Sequence, residues 1–333
     1  MATIEPGASI LPPSDDRIFK LLLTHPDAKP VLMDVISAVI DRNVIDVQVR
    51  NNEVPPNDID EKMERFDVNA VIDGGEQVDL EMQASAMEEK LLGGHANLIK
   101  KYLYYLTDLH SSQSSKGKAY DELVKTYQVT FCTYAVFPKE LPYVNKFSMR
   151  TKDGYLLCDD IHAIFIELSK IADLLQKSVD KMTSLEMWSL FLNYASEPKY
   201  RDKVNEIILA KEVIGVATDL LTSISQDEKE RAIFRSRRMY QTDLTSNIRT
   251  AEKRGEERGI VIGEERGIAI GEALGEKKLE KKINEVALGM KQNNIPINVI
   301  SLITGLAPAL IENINLIDSS GCDDNAADSR AVT

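Results

Sequence analysis

The chain has 333 residues, of which 43% are hydrophobic and 28% charged, with a formal net charge of -13. That is ample material for a core, and it excludes a wholly disordered chain. The acid excess excludes a protein that coats nucleic acid by net charge alone, though not an enzyme with a local basic patch. Cys132, Cys158 and Cys322 lie far apart in no ligand spacing. They speak against a disulfide scaffold or a zinc ribbon, and for a reducing, cytoplasmic setting. The N-terminus has no basic segment followed by an apolar one, and no apolar run reaches the ~18 residues of a membrane helix. The expectation is no signal peptide and no membrane partner.

Residues 1–14, with Pro12 and Pro13, read as a flexible leader. DRIFKLLLTH predicts a first helix, and a second runs from about Pro30 to Val39. A β-like run, VIDVQVR, precedes an acidic, proline-containing loop over NNEVPPNDIDEKME. RFDVNAVIDGGEQVDLEMQ reads as two alternating strands joined by Asp73-Gly74-Gly75, a strong turn signal. LLGGHANLIKKYLYYLTDLHSS predicts a basic, tyrosine-rich helix. TYQVTFCTYAVFP is a buried-strand pattern closed by Pro138, and another strand is expected near HAIFIEL. From about 168 to 245 the patterns are mostly helical. The predicted fold is therefore α/β, a mixed sheet flanked by helices with a helical C-terminal extension, and the main domain is placed at 15–245.

Residues 246–280 follow a different logic. Gly255, Gly259, Gly263, Gly267, Gly271 and Gly275 recur every four residues. Each glycine costs a helix ~1 kcal/mol relative to alanine. Two readings stand: a loosely helical linker, or a helix whose glycine stripe packs on a partner and drives homo-oligomerisation. Residues 281–317 read as a small helical hairpin with turns at Asn293-Asn294 and Gly305, and 318–333 as a disordered end.

The strand pair carries the chemistry. With a three-residue loop, Val68 opposes Leu80 and Ala70 opposes Val78 on an apolar face, with Phe66 opposite Met82. The same register sets Asp67 opposite Glu81 and Asn69 opposite Asp79 on the other face. Like charges directly opposite each other destabilise a sheet. A divalent cation reverses that sign, because carboxylates and an amide carbonyl are hard oxygen ligands for Mg²⁺ or Mn²⁺. Alternating acids also describe a plain solvated strand face, so spacing alone leaves both readings open.

These residues resemble the PD-(D/E)XK nuclease superfamily, specifically the recombination-promoting nucleases and PD-(D/E)XK transposases. Asp67 in RFDVNAVID and Glu81 with Gln83 in VDLEMQ match the family's Asp and Glu-x-Gln. DRIFKLLL, with Asp16, Phe19 and Lys20, resembles its opening D-x-x-F-K, and KKYLYYL, with Lys100, Lys101, Tyr104 and Tyr105, its basic tyrosine-bearing helix. GKAYDELVKTYQVTFCTYAVFP resembles its G-x-x-Y-x-x-L segment, and the Gly/Glu repeats with an ITGL hairpin resemble its tail. The likeness runs from about 13 to 317. The sequence departs from the pattern where Gln83 replaces the superfamily's lysine, where Lys101 stands for a frequent arginine, and in the acidity of 53–89.

The resemblance implies a restriction-endonuclease-like core and metal-dependent hydrolysis of DNA phosphodiesters, of recombination-promoting or mobile-element type. Asp67 and Glu81, with the Met82 carbonyl, would bind Mg²⁺ or Mn²⁺. Gln83 would orient water or phosphate, and Lys101 would supply the cation that Gln83 cannot. Lys100, Lys101, Arg235, Arg237 and Arg238 are the candidate DNA contacts. Lysines on a solvated helix face, and arginines paired with the acids of QDEKE, are the plainer readings of those groups. Asp16 is expected as an N-cap rather than a site acid. The alternative is a catalytically weak or inactive nuclease fold acting as a DNA-binding or oligomeric assembly module. No DDE-type triad suggests strand joining.

Overall fold

A computed structural model describes residues 3–50, 53–54, 64–65, 67–84, 94–114 and 119–314. The chain divides into two compact units, Met1–Thr242 and Asp243–Thr333. The first holds a six-stranded mixed sheet. Its strands are β1 (Val47–Val49), β4 (Val68–Ile72), β5 (Gln77–Gln83), β6 (Thr126–Cys132), β7 (Val144–Phe147) and β8 (Ile161–Glu167). They lie in the order β1-β4-β5-β6-β8-β7. The pairs β5–β6 and β6–β8 are parallel, and the flanking pairs are antiparallel. A separate short pair joins β2 (Glu53–Val54) to β3 (Glu64–Arg65). The rest of the expected acidic loop, and Phe66, lie outside the described residues. Sequence patterns did not disclose β7, a four-residue edge strand with one buried position.

The turn between β4 and β5 is the three-residue one, with Gly74 and Gly75 both at positive φ, 79° and 82°. Those values favour glycine because they bring no Cβ clash. This fixes Val68 opposite Leu80, Asn69 opposite Asp79 and Ala70 opposite Val78.

One sheet face packs under α1 (Asp16–Thr24), α2 (Lys29–Ile40), α4 (Ser184–Tyr194), α5 (Arg201–Ala210) and α6 (Glu212–Gln226). Ile18, Phe19, Leu22 and Leu23 are buried from α1, and Phe19 meets Phe131 of β6 at 5.6 Å between ring centroids. The other face is covered by α3 (His95–Ser111). Leu98, Tyr102 and Leu106 recur every four residues and pack on Cys132, Ala163 and Phe165. The polar face of the β4–β5 hairpin is therefore not solvated. Every residue of β5 is buried.

The expectation of a flexible leader is corrected. Ile4, Ile10 and Leu11 are buried in the main core. The Ile4 amide donates to Asn205 Oδ1 and the Leu11 amide to Ser225 Oγ, each at 2.9 Å. Apolar residues among the prolines and acids supply the burial that the composition concealed.

A long helix, α7 (Glu228–Gln292), includes the glycine repeat. In the second unit, Ala287 of α7 packs with Ile300 of α8 (Ile297–Thr304) and Ile311 of α9 (Pro308–Asn313). Asn294 and Gly305 take positive φ at the turns, 58° and 75°. Residues 315–333 lie outside the described part. No helix among the described residues is long and apolar enough to cross a membrane.

Candidate active site

The central hairpin brings Asp67 and Glu81 together by two hydrogen bonds between side chain and backbone. The Asp67 amide donates to Glu81 Oε1 at 3.1 Å, and the Met82 amide donates to Asp67 Oδ2 at 3.1 Å. Each carboxylate is thus held by the other strand.

The ladder explains which way Met82 faces. The Gln77 amide donates to the Lys125 carbonyl, and the Thr133 amide to the Gln83 carbonyl, so odd residues of β5 bond toward β6. A strand residue points its amide and carbonyl the same way, and successive residues alternate. Met82 therefore turns both groups toward β4 and Asp67. That direction suits its carbonyl as a further oxygen ligand beside the two carboxylates.

Burial makes this pair costly without a cation. Glu81 is 4% exposed. Burial, then Asp79 and Asp67, push its carboxyl well above the ordinary range, and Lys101 works against them. Burial likewise raises Asp67 to about 6, helped by Asp16 and opposed by the Met82 amide, Lys101 and Lys20. Two crowded carboxylates with little solvent favour either a proton or a metal. The donor set of hard oxygens fits a small divalent ion. Among the described residues no group of three or more His, Cys, Asp or Glu side chains could hold a metal. A metal here would complete its shell with backbone and water oxygens.

Lys101 of α3 reaches the site. Its Nζ lies 3.9 Å from Glu81 Oε2 and over the rings of Tyr102 and Tyr105, at 4.9 and 5.2 Å from their centroids. Gln83 is 8% exposed, and its Oε1 accepts from the buried Tyr102 hydroxyl at 3.0 Å. That occupies the Gln83 oxygen and leaves its amide nitrogen as the side chain's donor. The sequence pattern points to Tyr104 and Tyr105, whereas the tyrosine that meets Gln83 is Tyr102. Tyr104 is half exposed, while Tyr105 packs against the α3 cluster. The four-residue spacing of Leu98, Tyr102 and Leu106 was the available signal.

The rung beside the acids is wholly interior. Asn69, Asp79 and Gln128 stand abreast on β4, β5 and β6, and Gln128 is fully buried with neither amide atom hydrogen-bonded.

The opening helix contributes more than expected. Its N-cap is Asp15, whose Oδ1 accepts from the Arg17 and Ile18 amides, rather than Asp16. Asp16 and Lys20, four residues apart on α1, both act electrostatically on Asp67.

The predicted nucleic-acid residues separate into two kinds. Lys100, Arg235 and Arg238 are exposed. Arg237 is engaged by α1, with its Nη2 2.6 Å from Asp16 Oδ2 and its Nη1 3.7 Å from Asp15 Oδ1. Two acids at the start of α1 thus face it, beyond those of QDEKE that the sequence suggests. Nearby, Arg17 forms a fork with both oxygens of Glu230 at 2.8 Å.

This arrangement meets the family comparison directly. The family model for PD-(D/E)XK nuclease family transposases matches residues 13–251. The chain belongs to that family. The match takes in the Asp67–Glu81 hairpin, Lys101 and the arginines of early α7. No curated protein matches the chain, and no solved structure does. Membership supports a nuclease-type function on nucleic acid, in a superfamily that generally uses divalent metals.

Proposed function

We propose that this member of the family is a metal-dependent DNA endonuclease, hydrolysing phosphodiester bonds at the Asp67–Glu81 hairpin. The observation that carries the reading is the reciprocal bracing of the half-buried Asp67 and buried Glu81 carboxylates, which are costly to ionise side by side without a cation.

Asp67 and Glu81, with the Met82 carbonyl, would hold Mg²⁺ or Mn²⁺. The bound ion would supply charge neutralisation at the scissile phosphate and acidify an attacking water. Lys101 brings a cation within reach of Glu81 and of the phosphate oxygens. Gln83, anchored through its oxygen by Tyr102, directs its Nε2 as a donor for water or phosphate. The α3 cover keeps bulk water from the inner rung, which strengthens each of these interactions. Exposed Lys100, Arg235 and Arg238 are the proposed contacts to the DNA backbone, and the acid excess would make binding strongly salt-dependent.

The test is plasmid nicking at low salt with Mg²⁺ or Mn²⁺, using wild type, Asp67→Ala and Glu81→Ala. Metal-dependent cleavage lost in both variants is expected. Cleavage retained in either would refute the site. The second reading is a weak or inactive nuclease fold serving binding or assembly, favoured by the acid excess and by Lys101 standing where relatives often carry an arginine. No cleavage by wild type, with metal-dependent thermal stabilisation intact, would select it.

A further inference from the structure

The glycine repeat lies within the second unit, and all of Ala251–Lys282 is exposed. Large aliphatic side chains stand out from it, including Ile260 at 55%, Ile270 at 60% and Leu274 at 54% exposure. A lone helix rich in glycine gains little from propensity, and most helices derive their stability from a packed face. The question is what covers this one.

The charge pattern answers it. The outer first half of the segment carries Arg249, Glu252, Lys253, Arg254, Glu256, Glu257 and Arg258, and the outer second half Glu276, Lys277, Lys278, Glu280, Lys281, Lys282 and Glu285. A parallel, in-register second copy would set each of these against its own like. Reversing the second copy about Gly267 pairs Arg249 with Glu285, Glu252 with Lys282, Glu256 with Lys278 and Glu257 with Lys277. The one like pair at that register is Lys253 with Lys281.

Helix geometry places Arg249–Glu285 and Glu256–Lys278 on one side. At about 100° per residue, positions 249, 256, 260, 267, 274, 278 and 285 fall within roughly 20° of one line, while the like pair 253 and 281 lies roughly 40° off it, 252 and 282 roughly 60° and 257 and 277 roughly 80°. Ile260 then faces Leu274 of the second copy. Gly267, which a Cβ would leave in open space, sits at the crossing, where its lack of a side chain lets the two backbones approach. The occupant is selected by these charges, and the glycines only permit the approach.

We propose that Arg249–Glu285 of α7 pairs antiparallel with the same segment of a second copy, centred on Gly267, forming a homodimer through the tail. The proposal is independent of the nuclease reading, because none of its residues belongs to the candidate active site.

The experiment is sedimentation equilibrium of the full chain at low salt. It compares wild type with Glu256→Lys, Lys278→Glu and the double variant. Residues 256 and 278 lie six turns apart on one helix, so no intrachain pair links them. Each single variant turns two symmetry-related attractions into repulsions, and about tenfold weaker dimerisation is expected. The double variant restores opposite charges and should return to wild-type affinity. Circular dichroism of each variant checks that helix content is kept. A monomeric wild type at micromolar concentration, or a double variant as weak as the singles, would overturn the proposal. Rescue by Arg258→Glu with Glu280→Arg instead would overturn the register centred on Gly267.

Discussion

Replacing Asp67 with asparagine isolates the electrostatic cost of the candidate site. Asparagine keeps the shape and an oxygen to accept from the Met82 amide, which Asp67 Oδ2 accepts at 3.1 Å. It removes the charge. Asp67 is raised from 3.8 to about 6, first by burial. Each tenfold step in proton affinity is worth about 1.4 kcal/mol, so the ionised group costs the metal-free fold about 3 kcal/mol. The sign follows from the raised value. The folded protein binds the Asp67 proton more tightly than the unfolded chain, so the cost of this one group is absent at acid pH. It grows as pH rises from about 4 through about 6. In EDTA, Asp67→Asn should therefore be about 2–3 kcal/mol more stable than wild type at pH 8, and nearly equal to it at pH 4. Guanidinium unfolding at both pH values measures the difference. With Mg²⁺ the order should reverse, because wild type gains stability by mass action while the variant loses a ligand. An Asp67→Asn variant no more stable than wild type at pH 8 in EDTA would refute the reasoning. So would an undiminished Mg²⁺ shift.

Other consequences can be read separately. Lys101→Met should lower single-turnover cleavage at least a hundredfold while leaving Mg²⁺-induced stabilisation in place, since the cation acts on phosphate and is no metal ligand; rapid-quench assays with parallel melting curves decide it. Tyr102→Phe should cost about 1 kcal/mol in denaturant unfolding by removing the donor to Gln83. Gln128→Met should stabilise the fold by about 1–2 kcal/mol, because a fully buried amide with neither atom hydrogen-bonded is exchanged for an apolar chain of similar length. A destabilised Gln128→Met would show that the amide is satisfied. Arg238→Ala should weaken DNA binding and reduce the slope of log affinity against log salt by about one. Arg237→Ala should instead lower stability, as its ion pairs with Asp15 and Asp16 are lost.

The hairpin was legible because its information is local. Two glycines mark a three-residue loop, which keeps both apolar sets on one face and determines the register, so Asn69 against Asp79 follows by counting. The leader was illegible for the opposite reason. Ile4, Ile10 and Leu11 are buried by α5 and α6, about two hundred residues away, through Asn205 and Ser225. No window of neighbouring residues contains that contact. β7 escaped notice because an edge strand with one buried position needs no alternation. Its partner β8 supplies its register instead.

The same division runs through the candidate site and explains why its acids were easier to find than its supports. Asp67 and Glu81 lie on paired strands, where a period of two fixes the face. Their neighbours arrive on helices that cross the sheet, and helix faces are fixed only once the packing is known. KKYLYYL offers two lysines and three tyrosines to a sheet that accepts one orientation. Burying Leu98 and Leu106 selects Tyr102 as inward-facing, and Lys101 as the flanking residue at the rim. The inward tyrosine then captures the Gln83 oxygen, and the glutamine becomes a fixed donor rather than a free amide. On α1, burial of Phe19 and Leu22 likewise leaves Asp16 and Lys20 at the flank, where both act on Asp67. An opposite charge pair at the mouth of a carboxylate site largely cancels at long range. Asp16 also holds Arg237 of α7, so the arginine's charge is partly neutralised within the fold. Arg235 and Arg238, on either side of it, are exposed, and with Lys100 they are the contacts proposed for a phosphate backbone.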